Sequence, residues 1–308
     1  MGLKRFIGAV AAMGFAFGVW TAAASNYEMS EQTLPPVYLN HVGILLNAVT
    51  YAALGKSQFL TEEFSAFEQK TYQQNGGART YTGSYWFGQH TSLEFLSPEL
   101  KGGPAPGSVQ LNMSIDDLRD IPAIKTALTE HTHVEPVVRA NTFFANGRDV
   151  PWFTSVTTPA AFSSTQLIRS NVQAYAPEHL KARYPDLKPE EDGTTREKYY
   201  ARRYRPDRLL HDITRVALTV EDGETEPILA QLAAYGYGIS SDKGERIAHG
   251  PEIEIAIRRA AKQSERSIEL GMSLNSVGAR DHVYPITPDS SLRIEGHSAR
   301  WQLPLRKE

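Results

Sequence analysis

The alternation of apolar and polar positions changes period along the chain, and those changes predict the elements. Residues 37–46 (VYLNHVGILL) form a short run rich in β-formers after Pro35-Pro36, which predicts a buried strand. Over residues 47–70 the apolar positions Leu54, Phe59, Leu60, Phe64 and Phe67 fall near helical spacing, with Glu62, Glu63 and Glu68 between them. That predicts a helix, closed off by Gly76-Gly77. Residues 79–87 and 91–96 predict two aromatic-rich strands separated by Gly88-Gln89-His90.

Residues 100–107 (LKGGPAPG) have the composition of a loop. A helix is predicted over 116–130 with an early break at Pro122, a strand over 134–144, a turn at Asn146-Gly147 and an extended piece from Pro151. Residues 160–184 read as helical with an interruption at Pro177. Residues 188–208 are dense in charge and tyrosine, and their balanced signs predict a solvated helix or loop. Near the C-terminus a strand (213–220), a helix (224–235, closed by Gly236) and two strands (252–257, 267–274) repeat the order of the N-terminal part.

Composition narrows the class. The chain has 308 residues, 41% of them hydrophobic, enough for one large core or two packed modules. A net charge of −3, with the two signs mixed, gives no basic surplus for nucleic acid. There is no cysteine, which removes disulfides, thiolate metal sites, cysteine nucleophiles and a lipid anchor together. Lys4-Arg5, an uncharged stretch over 6–20 and Ala22-Ala23-Ala24 predict an export signal cleaved after Ala24, with 25–36 as a polar lead-in. The expected location is periplasmic or extracellular. Because no later stretch is apolar enough to span a bilayer, no membrane association is expected once the signal is removed. G-x-S-x-G, Walker and H-E-x-x-H motifs are absent, and His131 and His133 lack a third ligand of matching spacing.

Two segments repeat. LNHVGILL at 39–46 aligns with ITRVALTV at 213–220, pairing His41 with Arg215, and SLEFL at 92–96 aligns with SIELG at 267–271, pairing Glu94 with Glu269. The spacings are 53 and 54 residues, which points to a duplicated module. With this order and the phrases YLNHVGILL, TYTGSYWFG, QHTSLEFL and PWF, the chain resembles a glyoxalase-like bacterial family related to the vicinal oxygen chelate superfamily of glyoxalases, bleomycin-resistance proteins and extradiol dioxygenases.

The resemblance implies an α+β fold of two βαβββ modules in a cupped mixed sheet: a first module over 37–100, a central α/β-containing insertion over 101–208 packed on the modules, and a second module with C-terminal strands over 209–308. It implies a divalent metal held by His41, Glu94 and Glu269, with Glu94 and Glu269 as catalytic carboxylates. Glu94 or Glu269 would then need a raised pKa to move a proton. Arg215 departs from the pattern, since a guanidinium has no lone pair for a metal; it weakens the metal expectation and would instead clamp an anion. His90 and Tyr85 join it as candidate ligand contacts. The expected function is an exported protein that acts on, or only binds and sequesters, a small anionic molecule. If it is an enzyme, the chemistry is that of a metal- or arginine-assisted lyase, isomerase or dioxygenase. An envelope-interaction role for 101–208 and a homodimer both stay open.

Overall fold

The first predicted strand is β1 (Tyr38–Leu45). It leads into α1 (Ala48–Lys56), where the Asn47 side chain caps the first turn by accepting from the Thr50 N–H at 2.9 Å. A π-helical turn at Phe59–Phe64 follows, then β2 (Ala66–Gln74), β3 (Arg79–Phe87) and β4 (Ser92–Leu96). The same order returns as β5 (Val109–Ile115), α2 (Ile121–Thr132), β6 (Val137–Ala145), β7 (Arg148–Thr157) and β8 (Ile168–Tyr175). After α3 (Pro177–Arg183) and α4 (Arg196–Tyr200) it occurs once more, as β9 (Leu210–Val220), α5 (Asp222–Ala234), β10 (Gly238–Asp242), β11 (Glu245–Gly250) and β12 (Ile253–Arg259). Four further strands end the described chain: β13 (Ser267–Leu274), β14 (His282–Thr287), β15 (Ser290–Glu295) and β16 (Ser298–Pro304). This computed structural model describes residues 34–98, 105–159, 167–186, 194–277 and 282–305. The export segment at 1–24 and most of the lead-in lie outside the described residues.

The fold is a mixed α+β arrangement of two eight-stranded sheets. One is a closed barrel in the order β1-β4-β3-β2-β6-β7-β8-β5, and the other runs β10-β11-β12-β9-β13-β16-β15-β14. In the barrel β1 lies parallel to β4 and antiparallel to β5, while β5 lies parallel to β8. The seam between β2 and β6 is held by the single register pair Gln74–Phe143, beside which the Thr142 N–H donates to Asn75 Oδ1 at 2.9 Å.

Four expectations are corrected here. The central segment is no insertion: β5 to β8, half of the barrel's strands, come from it. Its strand β8 lies where a helix was expected. Ile168-Arg169-Ser170-Asn171-Val172-Gln173-Ala174-Tyr175 alternates at period two, but Arg169, Asn171 and Gln173 face the barrel interior, so no hydrophobic stripe marked the strand. The helix over 47–70 ends early because Ala66–Gln74 is a strand, whose sequence AFEQKTYQQ is rich in helix formers. Pro122 begins α2 instead of breaking it, since the first helical turn needs no N–H there.

The second sheet turns its apolar face to the outside of the barrel. Trp301 on β16 meets Phe64 and Trp86 edge-on, with ring centroids at 6.4 and 6.5 Å, and Phe95 at 5.4 Å. All four rings are fully buried, and the Trp86 indole N–H donates to Leu60 O at 2.9 Å. A second link is polar: Glu224 on α5 accepts from the Leu167 and Ile168 N–H groups at the start of β8 and pairs with buried Arg266 at 2.7 Å. The outer face of the second sheet is polar and open to water.

Candidate functional site

Because side chains alternate along a strand, the outward residues of the barrel make the core and the inward ones enclose a cavity of about 560 Å³. That volume lies within the range of small-molecule sites. On β1 the inward residues are His41, Gly43 and Leu45; on β4, Ser92, Glu94 and Leu96; on β8, Arg169, Asn171, Gln173 and Tyr175. Gly43 leaves the cavity clear beside Glu94, since a Cβ there would stand 3.6 Å from Glu94 Oε2 and 3.4 Å from Asn112 Nδ2.

Two polar clusters meet inside. In the first, Glu94 Oε1 accepts from the Tyr85 hydroxyl at 2.7 Å, and Glu94 Oε2 lies 3.3 Å from His41 Nε2. Tyr85 stands opposite Glu94 in the β3–β4 register, and its ring lies over Gly83, where any Cβ would collide with it. His41 Nδ1 donates to Asn40 Oδ1 at 2.8 Å, an oxygen that also takes the Tyr175 and Tyr200 hydroxyls at 3.0 and 2.8 Å. In the second cluster the Asn171 and Gln173 amides both donate to Asn112 Oδ1, at 2.9 and 3.1 Å.

Burial works to raise the Glu94 pKa, but the hydrogen bond and charge of His41 and the hydrogen bond from Tyr85 outweigh it and hold the carboxyl below its ordinary 4.5. The raised value that proton transfer would need is therefore absent at Glu94. Burial, then the charge of Glu94, pushes the Tyr85 phenol well above its usual range, so it stays a neutral donor.

Of the residues picked out from the sequence, His41, Glu94 and Tyr85 come together in this chamber, and His90, Arg215 and Glu269 do not. Arg215 sits on β9 in the second sheet, with Nε 2.8 Å from Glu254 Oε1 and Nη2 3.1 Å from Glu245 Oε2. Glu269 lies on the neighbouring strand β13, opposite Ala217. The repeat aligned β1 with β9 and β4 with β13, but those strands belong to different sheets, and β13 runs antiparallel to β9 where β4 runs parallel to β1. His90 Nδ1 lies 3.0 Å from Asp212 Oδ2, and the His90 and Thr91 N–H groups both donate to Asp212 Oδ1, so this loop staples the barrel to β9.

Other chamber residues were missed. Residues 188–208 are not a solvated segment throughout: Tyr199 and Tyr200 on α4 are buried and line one end of the cavity, with Tyr199 stacked on Tyr175 at 3.9 Å. The adjacent tyrosines were the visible signal. Just after α4, the Arg203 guanidinium lies over the Tyr199 and Phe87 rings at 4.4 and 4.6 Å. Among the described residues Arg203 has no carboxylate partner, and its Nε is buried without an acceptor.

A model of the family of unknown function DUF5829 matches residues 39–303. The chain belongs to that family. No curated protein matches it. Among solved structures it is similar to a hypothetical protein from Staphylococcus aureus, at 8% identity and TM-score 0.44, over 73% of this chain and 86% of the other. It is also similar to a mutant of 4-hydroxymandelate synthase from Streptomyces coelicolor, at 12% identity and TM-score 0.38, over 73% of this chain and 63% of that one. A fusion of a xylose isomerase-like TIM barrel with a 4-hydroxyphenylpyruvate dioxygenase matches at 10% identity and TM-score 0.37, over 75% of this chain and 34% of the other.

In this DUF5829 chain the donor set does not fit a resident divalent cation. Among the described residues His41 and Glu94 are the only imidazole and carboxylate lining the chamber, and each already engages the other. Glu269, the third expected ligand, is in the other sheet. The polar groups across the barrel are neutral amides, and Arg79, Arg139, Arg169 and Arg203 share the same lining. Arg203, with no carboxylate partner among the described residues, and Arg79 on the same lining repel a cation and favour an anion.

Proposed function

We propose that this protein binds a small anionic molecule inside the barrel, without a resident metal, on a glyoxalase-like scaffold of repeated βαβββ modules. The observation that carries the reading is the positive charge of Arg203 and Arg79 on the chamber lining, while Glu94, the one carboxylate lining it among the described residues, is held by His41 and Tyr85. Arginine suits this task because its planar fork meets a carboxylate or phosphate through two parallel hydrogen bonds. Arg203 would enter the site nearly ready-made, its plane held by the Tyr199 and Phe87 rings and its Nη2 bonded to Tyr199 O at 2.8 Å. Orientation comes from the amides of Asn112, Asn171 and Gln173 on the facing wall.

Binding is favoured over catalysis for a specific reason. A carboxyl held below its ordinary value is a weak base at neutral pH, and among the described residues Glu94 is the only carboxylate lining the chamber. An envelope-interaction role through residues 101–208 is less economical, because that segment is consumed in building the barrel. Export, read from residues 1–24, remains part of the proposal.

Trp152 lines the chamber and supplies the readout. Its fluorescence should change saturably with a panel of small organic anions and not with matched neutral compounds. Gly43→Leu, which grows into the cavity, should abolish that response while circular dichroism stays native. Binding that survives Gly43→Leu in a folded variant would overturn the chamber as the site, and stoichiometric metal in protein purified without chelators would overturn the metal-free reading.

A further inference from the structure

The charge of the chamber names one property of the ligand, and its hydrogen-bonding surface names another. Six amide side chains line it: Gln74, Gln110, Asn112, Asn141, Asn171 and Gln173. Asn112 and Asn141 are engaged with neighbours, but among the described residues the side chains of Gln74 and Gln110 have no hydrogen-bond partner, and Asn171 Oδ1 is buried without one. A hydrocarbon-rich ligand filling this space would strip water from these groups and return nothing, at a cost of about 1–3 kcal/mol for each group left unpaired. A ligand carrying many hydroxyls both donates and accepts, and so matches amides, which do the same.

The apolar part of the lining is flat. Tyr72 and Trp152 stack at 5.2 Å with 26° between their planes, and Tyr81 stacks on Tyr72 at 5.8 Å. Flat aromatic faces accept the C–H face of a saturated ring, whose hydroxyls then point edgeways to the amides. Arg79 lies over Tyr81 at 5.1 Å and Arg203 over Tyr199 at 4.4 Å, so positive charge stands beside the aromatic surface at two places.

We infer that the chamber binds an anionic sugar, a polyhydroxylated ring with one carboxylate or phosphate. The aromatic faces take the ring, Gln74, Gln110 and Asn171 take hydroxyls, and Arg203 and Arg79 take the charge. This inference rests on the reading of the chamber as a binding site, and the test separates the two.

Titration of the full-length protein, followed by Trp152 fluorescence and calorimetry, would use four probes: glucuronate, glucose 6-phosphate, glucose and 4-hydroxyphenylacetate. One or both anionic sugars should bind at least about tenfold more tightly than glucose and than the aromatic acid. Which of the two prevails tells carboxylate from phosphate. Asn171→Leu should weaken the anionic sugars about tenfold and leave the aromatic acid unchanged. Arg203→Met should erase the preference for anionic over neutral sugar; Arg79→Gln, at an exposed position, gives the same readout at partial strength if the Arg203 variant does not fold. Tighter binding of 4-hydroxyphenylacetate than of either sugar would overturn the ligand class and leave the chamber standing. Absence of binding by all four probes would overturn both.

Discussion

Asn112 stands directly opposite His41 across the antiparallel ladder of β1 and β5. These are the leading strands of the two runs that build the barrel, so equivalent places carry an imidazole on one side and an amide on the other. The same contrast holds on the closing strands, where Glu94 on β4 faces into the space that Asn171 and Gln173 enter from β8. One half of the barrel holds the His41–Glu94 pair, and the facing positions on the other half hold the amides of Asn112, Asn171 and Gln173. The properties of Glu94 can therefore be tested without disturbing the amides.

Glu94 should make the protein's stability sensitive to acid. Its folded pKa is lowered, so the unfolded chain takes up the proton first as pH falls. The stabilisation is present in full above the ordinary 4.5 and is lost as pH drops through the depressed folded value. Urea unfolding followed from neutral pH to about pH 3 should show the wild type losing stability relative to Glu94→Gln. Tyr85→Phe removes a hydrogen bond to a charged group, should cost about 1.5–3 kcal/mol, and should move the acid transition upward. Parallel curves for wild type and Glu94→Gln would refute the assignment.

Arg215→Ala should leave ligand binding unchanged. Its guanidinium is committed to Glu254 and Glu245 on the second sheet and does not reach the barrel interior. With roughly a third of the side chain exposed, the loss in stability should stay near or below about 1 kcal/mol. Titration of the variant with the chamber's ligand checks this directly. A tenfold loss of affinity would show that the two sheets communicate.

Strands β1, β3 and β4 of the first run were legible because their apolar and aromatic residues announced them, whereas β2 was hidden by its helix formers. His41, Glu94 and Tyr85 were legible for the same reason, as polar groups interrupting β-rich segments. What failed was the partnership. The alignment of Leu39–Leu46 with Ile213–Val220 compared the outward, core-forming pattern, which is shared by every leading strand that packs against another layer. The strand that lies beside β1 from the next run is β5 (Val109–Ile115), where Gln110 and Asn112 line the cavity and dilute the hydrophobic signal. Tyr199 and Tyr200 were hidden differently, inside a segment whose charge made solvent exposure the natural expectation.

The link between α5 and the barrel depends on Glu224. It accepts from the Leu167 and Ile168 N–H groups at 3.0 and 3.2 Å and neutralises Arg266, whose side chain is 2% exposed. Glu224→Ala leaves a buried guanidinium with only Glu221 at 3.9 Å, and should cost about 3–5 kcal/mol in urea unfolding. Adding Arg266→Leu should recover a large part of that loss, because the stranded charge is then gone. A single mutant as stable as the wild type would show that the pair contributes nothing to joining the layers.

Gly147 isolates a purely backbone effect. The turn between β6 and β7 has positive φ at both central residues, 52° at Asn146 and 77° at Gly147, the pattern that lets a two-residue hairpin follow the twist of its strands. A Cβ at Gly147 would meet nothing within 4 Å, so Gly147→Ala introduces no clash with a neighbour. The cost is the strain of a left-handed residue alone, about 1–2 kcal/mol, read as a lowered urea midpoint with an unchanged slope. Gly147→Asn should cost less, since asparagine tolerates this region better. This hairpin carries Asn141, Trp152 and Phe153 to the chamber, yet the turn lies beyond them. Affinity measured where the variant is fully folded should therefore equal that of the wild type. A large loss of affinity at full folding would mean that the turn sets the position of Trp152, and that the β2–β6 seam beside it takes part in admitting the ligand.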